Sequence, residues 1–128
     1  MIKIDHIALW TKDIERMRRF YVEYFQFVSS EKYVNAKRGF TSYFLSSGEG
    51  ARIELMHIDA TPVPACRTDE IGLAHFAVSV GSREAVNRLT EQLRRDGYTI
   101  LGEPRTTGDG CYESAIADPE GNRVEITE

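Results

Sequence analysis

The strongest constraint in this sequence is that its two halves repeat one another, weakly but in the same order. Asp5-His6-Ile7-Ala8-Leu9 is echoed by Ala74-His75-Phe76-Ala77-Val78, which places the two histidines 69 residues apart (75 − 6). Arg52-Ile53-Glu54-Leu55-Met56 is echoed by Arg123-Val124-Glu125-Ile126-Thr127, with the two glutamates 71 apart (125 − 54). A register held within two residues over half the chain indicates two copies of one supersecondary unit. A length of 128 residues is that of one ordinary domain, so the copies are expected as modules of a single domain. The expected bounds are about 1–58 for the first module and 73–128 for the second. Between them runs a connector, about 59–72, which holds Pro62, Pro64 and Gly72, lacks periodicity, and is long enough to serve as a cover.

Within each copy the periodicity changes from two to three-and-four and back. The histidine stretches alternate and read as strands. Ile14, Met17, Phe20, Tyr21 and Tyr24 recur at helical steps, which predicts a helix over about 13–25. Val86, Leu89 and Leu93 do the same in the second half, with Ser82 placed as an N-cap and Gly97 where a left-handed C-terminal residue is wanted. Extended stretches follow at 40–46 and 51–56 in the first half, and at 98–101, 112–117 and 123–127 in the second. Gly48-Glu49-Gly50 and Asp118-Pro119-Glu120-Gly121-Asn122 read as the turns joining the last two strands of each half. Each half is therefore read as β-α-β-β-β, an α+β chain.

Strand alternation then sorts the side chains. Ile7, Leu9, Ile53, Leu55, Phe76, Val78, Val124 and Ile126 fall on one face, apolar throughout and suited to packing under the helices. The other face carries His6, Ala8 and Trp10, Arg52, Glu54 and Met56, His75, Ala77 and Ser79, and Arg123, Glu125 and Thr127. Taken singly, each polar side chain fits a solvent-facing strand position. Taken together, His and Glu recur at both equivalent places, and a pseudo-two-fold pairing of the modules would gather His6, Glu54, His75 and Glu125 into one cluster. Imidazole nitrogens with carboxylate oxygens suit a divalent Zn, Ni, Co, Mn or Fe(II) ion and leave positions for water or substrate. His57 has the opposite parity from Glu54 and no counterpart in the second half, so it is left out. Arg52 and Arg123 share a face with their glutamates and are read as partners of carboxylates. Trp10 and Phe44 are candidates to line a pocket.

Composition narrows the class. Sixteen Lys and Arg against twenty Asp and Glu give a net charge of −4, which offers no attraction to nucleic acid or anionic lipid. No apolar run approaches the ~20 residues needed to span a bilayer, and the two cysteines, Cys66 and Cys111, form no Cys-x-x-Cys pair. They are read as reduced thiols of a cytoplasmic protein.

Together, Asp5-His6-Ile7-Ala8-Leu9, Arg52-Ile53-Glu54-Leu55, Leu73-Ala74-His75-Phe76-Ala77-Val78 and Asp118-Pro119-Glu120-Gly121-Asn122-Arg123-Val124-Glu125 resemble the vicinal oxygen chelate superfamily, and within it the glyoxalase I-like enzymes. The resemblance implies two βαβββ modules forming a cupped, barrel-like mixed sheet around one divalent metal, Zn or Ni first, held by His6, Glu54, His75 and Glu125. It implies isomerisation of a 2-oxoaldehyde thiol hemithioacetal, as in methylglyoxal detoxification, to a 2-hydroxyacyl thioester through an ene-diolate. Glu54 or Glu125 would be the catalytic base. The partners implied are a small-molecule substrate and a second copy of the chain, as a homodimer.

The pattern departs at two places. Glutathione-dependent relatives have an Arg four residues after the first His, where this chain has Trp10, and an Asn four residues after the first Glu, where it has Ile58. The thiol is thereby left open, and the loop Thr106-Thr107-Gly108-Asp109-Gly110 is a candidate for substrate recognition. Two other readings share the fold: an epimerase of an acyl thioester, and a non-catalytic drug-binding protein of the bleomycin-resistance kind.

Overall fold

In a computed structural model, which describes residues 1–60 and 71–128, the two halves fold alike. Most of the connector expected at 59–72, with Pro62, Pro64 and Cys66, lies outside the described residues; Cys111 is a free, exposed thiol. The chain divides into two units, Met1–Pro64 and Ala65–Glu128. The first contains β1 (His6–Trp10), α1 (Ile14–Phe25), β2 (Val28–Ser29), β3 (Tyr33–Asn35), β4 (Phe40–Ser46) and β5 (Arg52–Ile58). Its sheet runs β1-β5-β4-β2, with β3 also paired to β4. The second contains β6 (Phe76–Ser79), α2 (Arg83–Arg95), β7 (Ile100–Thr106), β8 (Tyr112–Ala117) and β9 (Arg123–Thr127), in the sheet order β6-β9-β8-β7. Both sheets are mixed: β1 lies parallel to β5 and β6 parallel to β9, while the remaining pairs are antiparallel. None of the helices described is long and apolar enough to cross a membrane.

The helices start where their sequences allow. Asp13 accepts a hydrogen bond from the backbone N–H of Arg16 at 3.0 Å, and Ser82 accepts one from Ala85 at 3.1 Å; each satisfies a donor that the first helical turn leaves free. α1 ends on Gln26 in the left-handed region at φ 59°. α1 buries Ile14, Met17, Phe20, Tyr21 and Phe25 against its sheet, and a large apolar side chain fully buried contributes roughly 1.5–3 kcal/mol. The opposing strand positions are those the alternation selects: Ile53, Leu55, Val124 and Ile126 are all buried. Ile7, Leu9, Phe76 and Val78 on β1 and β6, the edge strands of their sheets, are half-buried.

Each helix is also stitched to its sheet by polar groups that apolar periodicity does not reveal. In the first unit the Tyr43 hydroxyl on β4 donates to Glu15 Oε1 on α1 at 2.6 Å, and Lys32 stands 3.2 Å from the same oxygen. That bond holds the Glu15 carboxyl below its ordinary value of 4.5, and burial raises the Tyr43 phenol. In the second unit the hydroxyls of Thr90 on α2 and Ser114 on β8 meet at 2.7 Å, both buried, and Thr90 also donates to the Val86 carbonyl at 2.6 Å.

The structure extends the sequence reading at two places. The segment after α1 pairs as two short strands, β2 and β3, both against β4, too brief to show a period of two. β7 continues to Thr106 past Gly102 and Pro104, where the sequence suggests an end at 101. It does so as the outer strand of its sheet, with its register to β8 shifted around Gly102, the setting in which a strand accommodates proline.

The Asp118-Pro119-Glu120-Gly121-Asn122 turn has a structural role of its own. Buried Asp118 accepts from the backbone N–H groups of Glu120 and Asn122, each at 2.9 Å, and from the Asn122 amide at 2.8 Å. Gly121 takes φ 86°, a conformation that favours glycine. The turn thereby fixes the register of β8 against β9 and the position of Glu125. Asp118→Ala is expected to cost about 2–3 kcal/mol of unfolding free energy in urea denaturation, because two backbone donors lose their acceptor. The Glu15 carboxyl gives the pH dependence. Its folded value lies below 4.5, so its contribution is present above that value and is lost as the pH falls through the lowered one. Tyr43→Phe is expected to cost about 1 kcal/mol at neutral pH, with a gap from wild type that narrows on acidification.

Candidate functional site

The parallel pair in each unit sets the geometry of the candidate ligands. Ala8 on β1 is opposite Glu54 on β5, so His6, two residues back on the same face, lies diagonal to that carboxylate. Ala77 on β6 is opposite Glu125 on β9, and His75, just ahead of β6, has the same diagonal relation. His6 Nε2 lies 3.7 Å from Glu54 Oε1, and His75 Nε2 lies 3.3 Å from Glu125 Oε2. The ladders beyond the strand ends match as well: Thr11 N–H donates to the Met56 carbonyl at 2.7 Å, and Val80 N–H to that of Thr127 at 2.8 Å. The sequence repeat is thus a repeat of geometry, one imidazole facing one carboxylate in each unit. Among the described residues no group of three or more His, Cys, Asp or Glu side chains is gathered closely enough to hold a metal ion.

The surroundings of the two pairs differ. Asp5 Oδ2 lies 2.8 Å from His6 Nδ1 and 2.7 Å from Arg52 Nη2. The hydrogen bond from His6, then the one from Arg52, hold the Asp5 carboxyl below its ordinary value. With Asp5 at Nδ1, the His6 ring turns Nε2 toward Glu54, the orientation a ligating histidine needs. Phe44 supports both neighbours: His6 meets it edge-on at 5.4 Å, and the Arg52 guanidinium lies 4.4 Å above it. In the second unit Ala74 stands where Asp5 does in the first, and Arg123 Nε instead lies 3.8 Å from Glu125 Oε1. Both arginines are partnered with carboxylates, as the sequence suggests.

Two residues escape the motif-level reading. Asp5 is visible only as part of an Asp-His dipeptide, and its role needs the ring orientation. Glu113 on β8 belongs beside Glu125 because Ala115 pairs with Glu125, which places Glu113 two residues away on the same face. A hydrogen bond with Glu125, more than burial, raises the Glu113 carboxyl. Both glutamates line a concavity of about 70 Å³ together with Gly102, Arg105 and Arg123, room for a few waters or a small group.

His57 points Nδ1 at the Thr11 carbonyl at 2.8 Å and stands 3.7 Å from Asp59. The 106–110 loop is closed on itself, with Thr107 bonded to Asp109 and its N–H donating to the Cys111 carbonyl at 2.8 Å. Trp10 and Phe44 both lie on the face that carries His6 and Glu54.

The donor chemistry fits a divalent ion. Two ligands at about 2.0–2.2 Å from one metal stand roughly 3.0–3.5 Å apart, close to the His–Glu separation in each unit. An imidazole nitrogen and a carboxylate oxygen facing one another are the donor types that a divalent cation accepts.

A family model for the Glyoxalase/Bleomycin resistance protein/Dioxygenase superfamily matches residues 3–126, and the chain belongs to that superfamily. Two uncharacterized Bacillus subtilis proteins are similar: YqjT, 28% identical over 129 residues and 96% of each chain, and YwkD, 33% identical over 103 residues, 75% of this chain and 80% of that one. Among solved structures, the trypanothione-dependent glyoxalase I of Leishmania major superposes with a TM-score of 0.80 at 20% identity, over 100% of this chain and 87% of its own. A glyoxalase/bleomycin resistance protein/dioxygenase domain from Frankia gives a TM-score of 0.83 at 19% identity, over 99% and 97%. These structures share the α+β fold of two βαβββ-type modules.

The Asp5 contact gives a direct check. In wild type, two-bond proton–nitrogen correlation spectra at about pH 8 should show His6 as the Nδ1–H tautomer, and Asp5→Ala should shift it toward Nε2–H, the form neutral histidine ordinarily favours in water.

Proposed function

We propose that the protein is a metal-dependent lyase of the glyoxalase I type. It would isomerise the hemithioacetal of a 2-oxoaldehyde and a thiol to a 2-hydroxyacyl thioester. The observation that carries this reading is the repeated facing of imidazole and carboxylate, His6 with Glu54 and His75 with Glu125. Two donors from each unit would make a quartet of nitrogen and oxygen ligands suited to Zn or Ni, with Co, Mn or Fe(II) as alternatives. When bound, the ion supplies positive charge against the negative charge that develops on the substrate oxygens.

The chain's own groups would do the rest. Asp5 fixes the His6 ring so that Nε2 is free to ligate. Glu54 or Glu125 takes the proton alpha to the carbonyl and returns it to the adjacent carbon, so the reaction balances with no oxidant or reductant. The two carboxylates are not equivalent: Glu54 lies opposite Ala8 and Phe44 on its neighbouring strands, whereas Glu125 is in contact with Arg123 and Glu113. Methylglyoxal adducts as substrate and a homodimer as the working form follow from the resemblance described above, and a cytoplasmic location follows from the reading of the two cysteines.

Elemental mass spectrometry on the intact protein, followed by a lyase assay on metal-reconstituted samples with methylglyoxal and a panel of thiols, tests this. Wild type should hold roughly one divalent ion per quartet. His75→Ala, Glu54→Gln and Glu125→Gln should retain less metal and lose at least ~100-fold in kcat/KM. Wild type that neither retains nor takes up metal, or ligand variants as active as wild type, would overturn the proposal.

A further inference from the structure

The face that carries His6 and Glu54 continues along the first unit's sheet into an aromatic strip. Trp10 is four residues from His6 on the same face of β1, about 13 Å at ~3.3 Å per residue. Its ring meets Phe40 edge-on at 6.3 Å, and Phe40 in turn meets Tyr33 at 6.1 Å. Phe40 shares a face of β4 with Phe44, which lies opposite Glu54, so the strip and the candidate ligand pair lie on one surface. Trp10 is 49% exposed and Tyr33 is 56% exposed, which leaves large parts of both side chains open to contact. The Arg38 guanidinium lies 5.3 Å from the centre of the Phe40 ring.

We propose, building on the reaction assigned above and resting on it, that Trp10, Phe40 and Tyr33 bind an aromatic group of the substrate lying remote from its reacting carbons. Three rings in successive edge-to-face contact offer further edges and faces to a fourth, and aromatic pairs gain beyond the area they bury. Arg38 decides the charge of the occupant. A cationic group, which aromatic rings otherwise attract, would meet a guanidinium already placed over Phe40, whereas a neutral or acidic aromatic group would not. The continuity of the face with His6 and Glu54 makes a small molecule spanning both places the occupant that fits. The thiol portion of the adduct is the part that can extend that far, so Trp10 and its neighbours would select an aryl-bearing thiol over a short aliphatic one.

Trp10 is the sole tryptophan of the chain, so its fluorescence reports on the strip directly and without catalysis. The test titrates metal-free wild type with the N-(4-nitrobenzyl)amide and the N-butylamide of N-acetyl-S-methylcysteine, which carry the aryl or alkyl group on the thiol portion and a methyl in place of the reacting carbons, following Trp10 emission and, for the butyl compound, amide shifts by NMR. The nitrobenzyl compound should quench Trp10 saturably and bind roughly tenfold tighter than the butyl compound. Tyr33→Ala, on a short and exposed strand, should weaken the nitrobenzyl compound several-fold and leave the butyl compound unchanged. Equal affinity for the two compounds, or quenching indifferent to Tyr33→Ala, would overturn the assignment. So would a concentration-dependent dimer, seen by sedimentation, that buries Trp10 and dissociates in Trp10→Ala. Failure of the metal and lyase measurements with aromatic preference intact would instead reject the proposed reaction while leaving the binding strip in place.

Discussion

The structure of each unit depends on the parallel pairing of its first strand with its last. Parallel neighbours cannot be joined by a tight turn, so the chain must leave the first strand, form a helix, and return through antiparallel strands before the pair can close. That requirement accounts for α1 and α2, for the apolar face each presents, and for the position of β5 and β9 between an edge strand and an antiparallel neighbour. It also brings together residues far apart in sequence: His6 and Glu54 are 48 positions apart (54 − 6), and His75 and Glu125 are 50 apart (125 − 75). The same diagonal register in both units gives each pair the same relation.

Around this shared frame the two units have diverged in their electrostatics. In the first, Asp5 takes both the His6 ring nitrogen and Arg52, and Glu54 is faced by the imidazole and flanked by an aromatic ring. In the second, the place of Asp5 is an alanine, and the arginine and a second carboxyl turn to Glu125 instead. One substitution between equivalent positions, Asp5 against Ala74, thus redirects an arginine and changes what surrounds the glutamate. Two carboxylates in unlike environments are the usual basis for dividing roles between them. The polar stitches between helix and sheet diverge in the same way, a Tyr–Glu–Lys group in one unit and a buried Thr–Ser pair in the other.

Much of the fold is legible in the sequence because its signals are local and periodic. Ile53, Leu55, Val124 and Ile126 declare a buried face by alternation, Ser82 declares a helix start, and the Asp-Pro-Glu-Gly-Asn turn declares both a reversal and, through Asp118, the register that follows it. β2 and β3 are not legible, because two or three residues carry no period and their pairing depends on β4 being present. The extension of β7 through Pro104 is not legible either, since proline is acceptable there because β7 is the outer strand of its sheet among the described residues. Glu113 has no sequence motif; its place beside Glu125 follows from the β8–β9 register alone.

By itself, therefore, the sequence determined the repeat, the strand faces, the helix starts and the recurrence of one His and one Glu in each half, because alternation, capping and turn chemistry act between residues a few positions apart. The tertiary structure decided which nitrogen of His6 faces Glu54, which carboxylate each arginine joins, that Glu113 shares Glu125's face, and that Trp10, Phe40 and Tyr33 form one strip. Those outcomes rest on contacts between different strands, where distance and ring orientation are set by pairing register and packing rather than by neighbours along the chain.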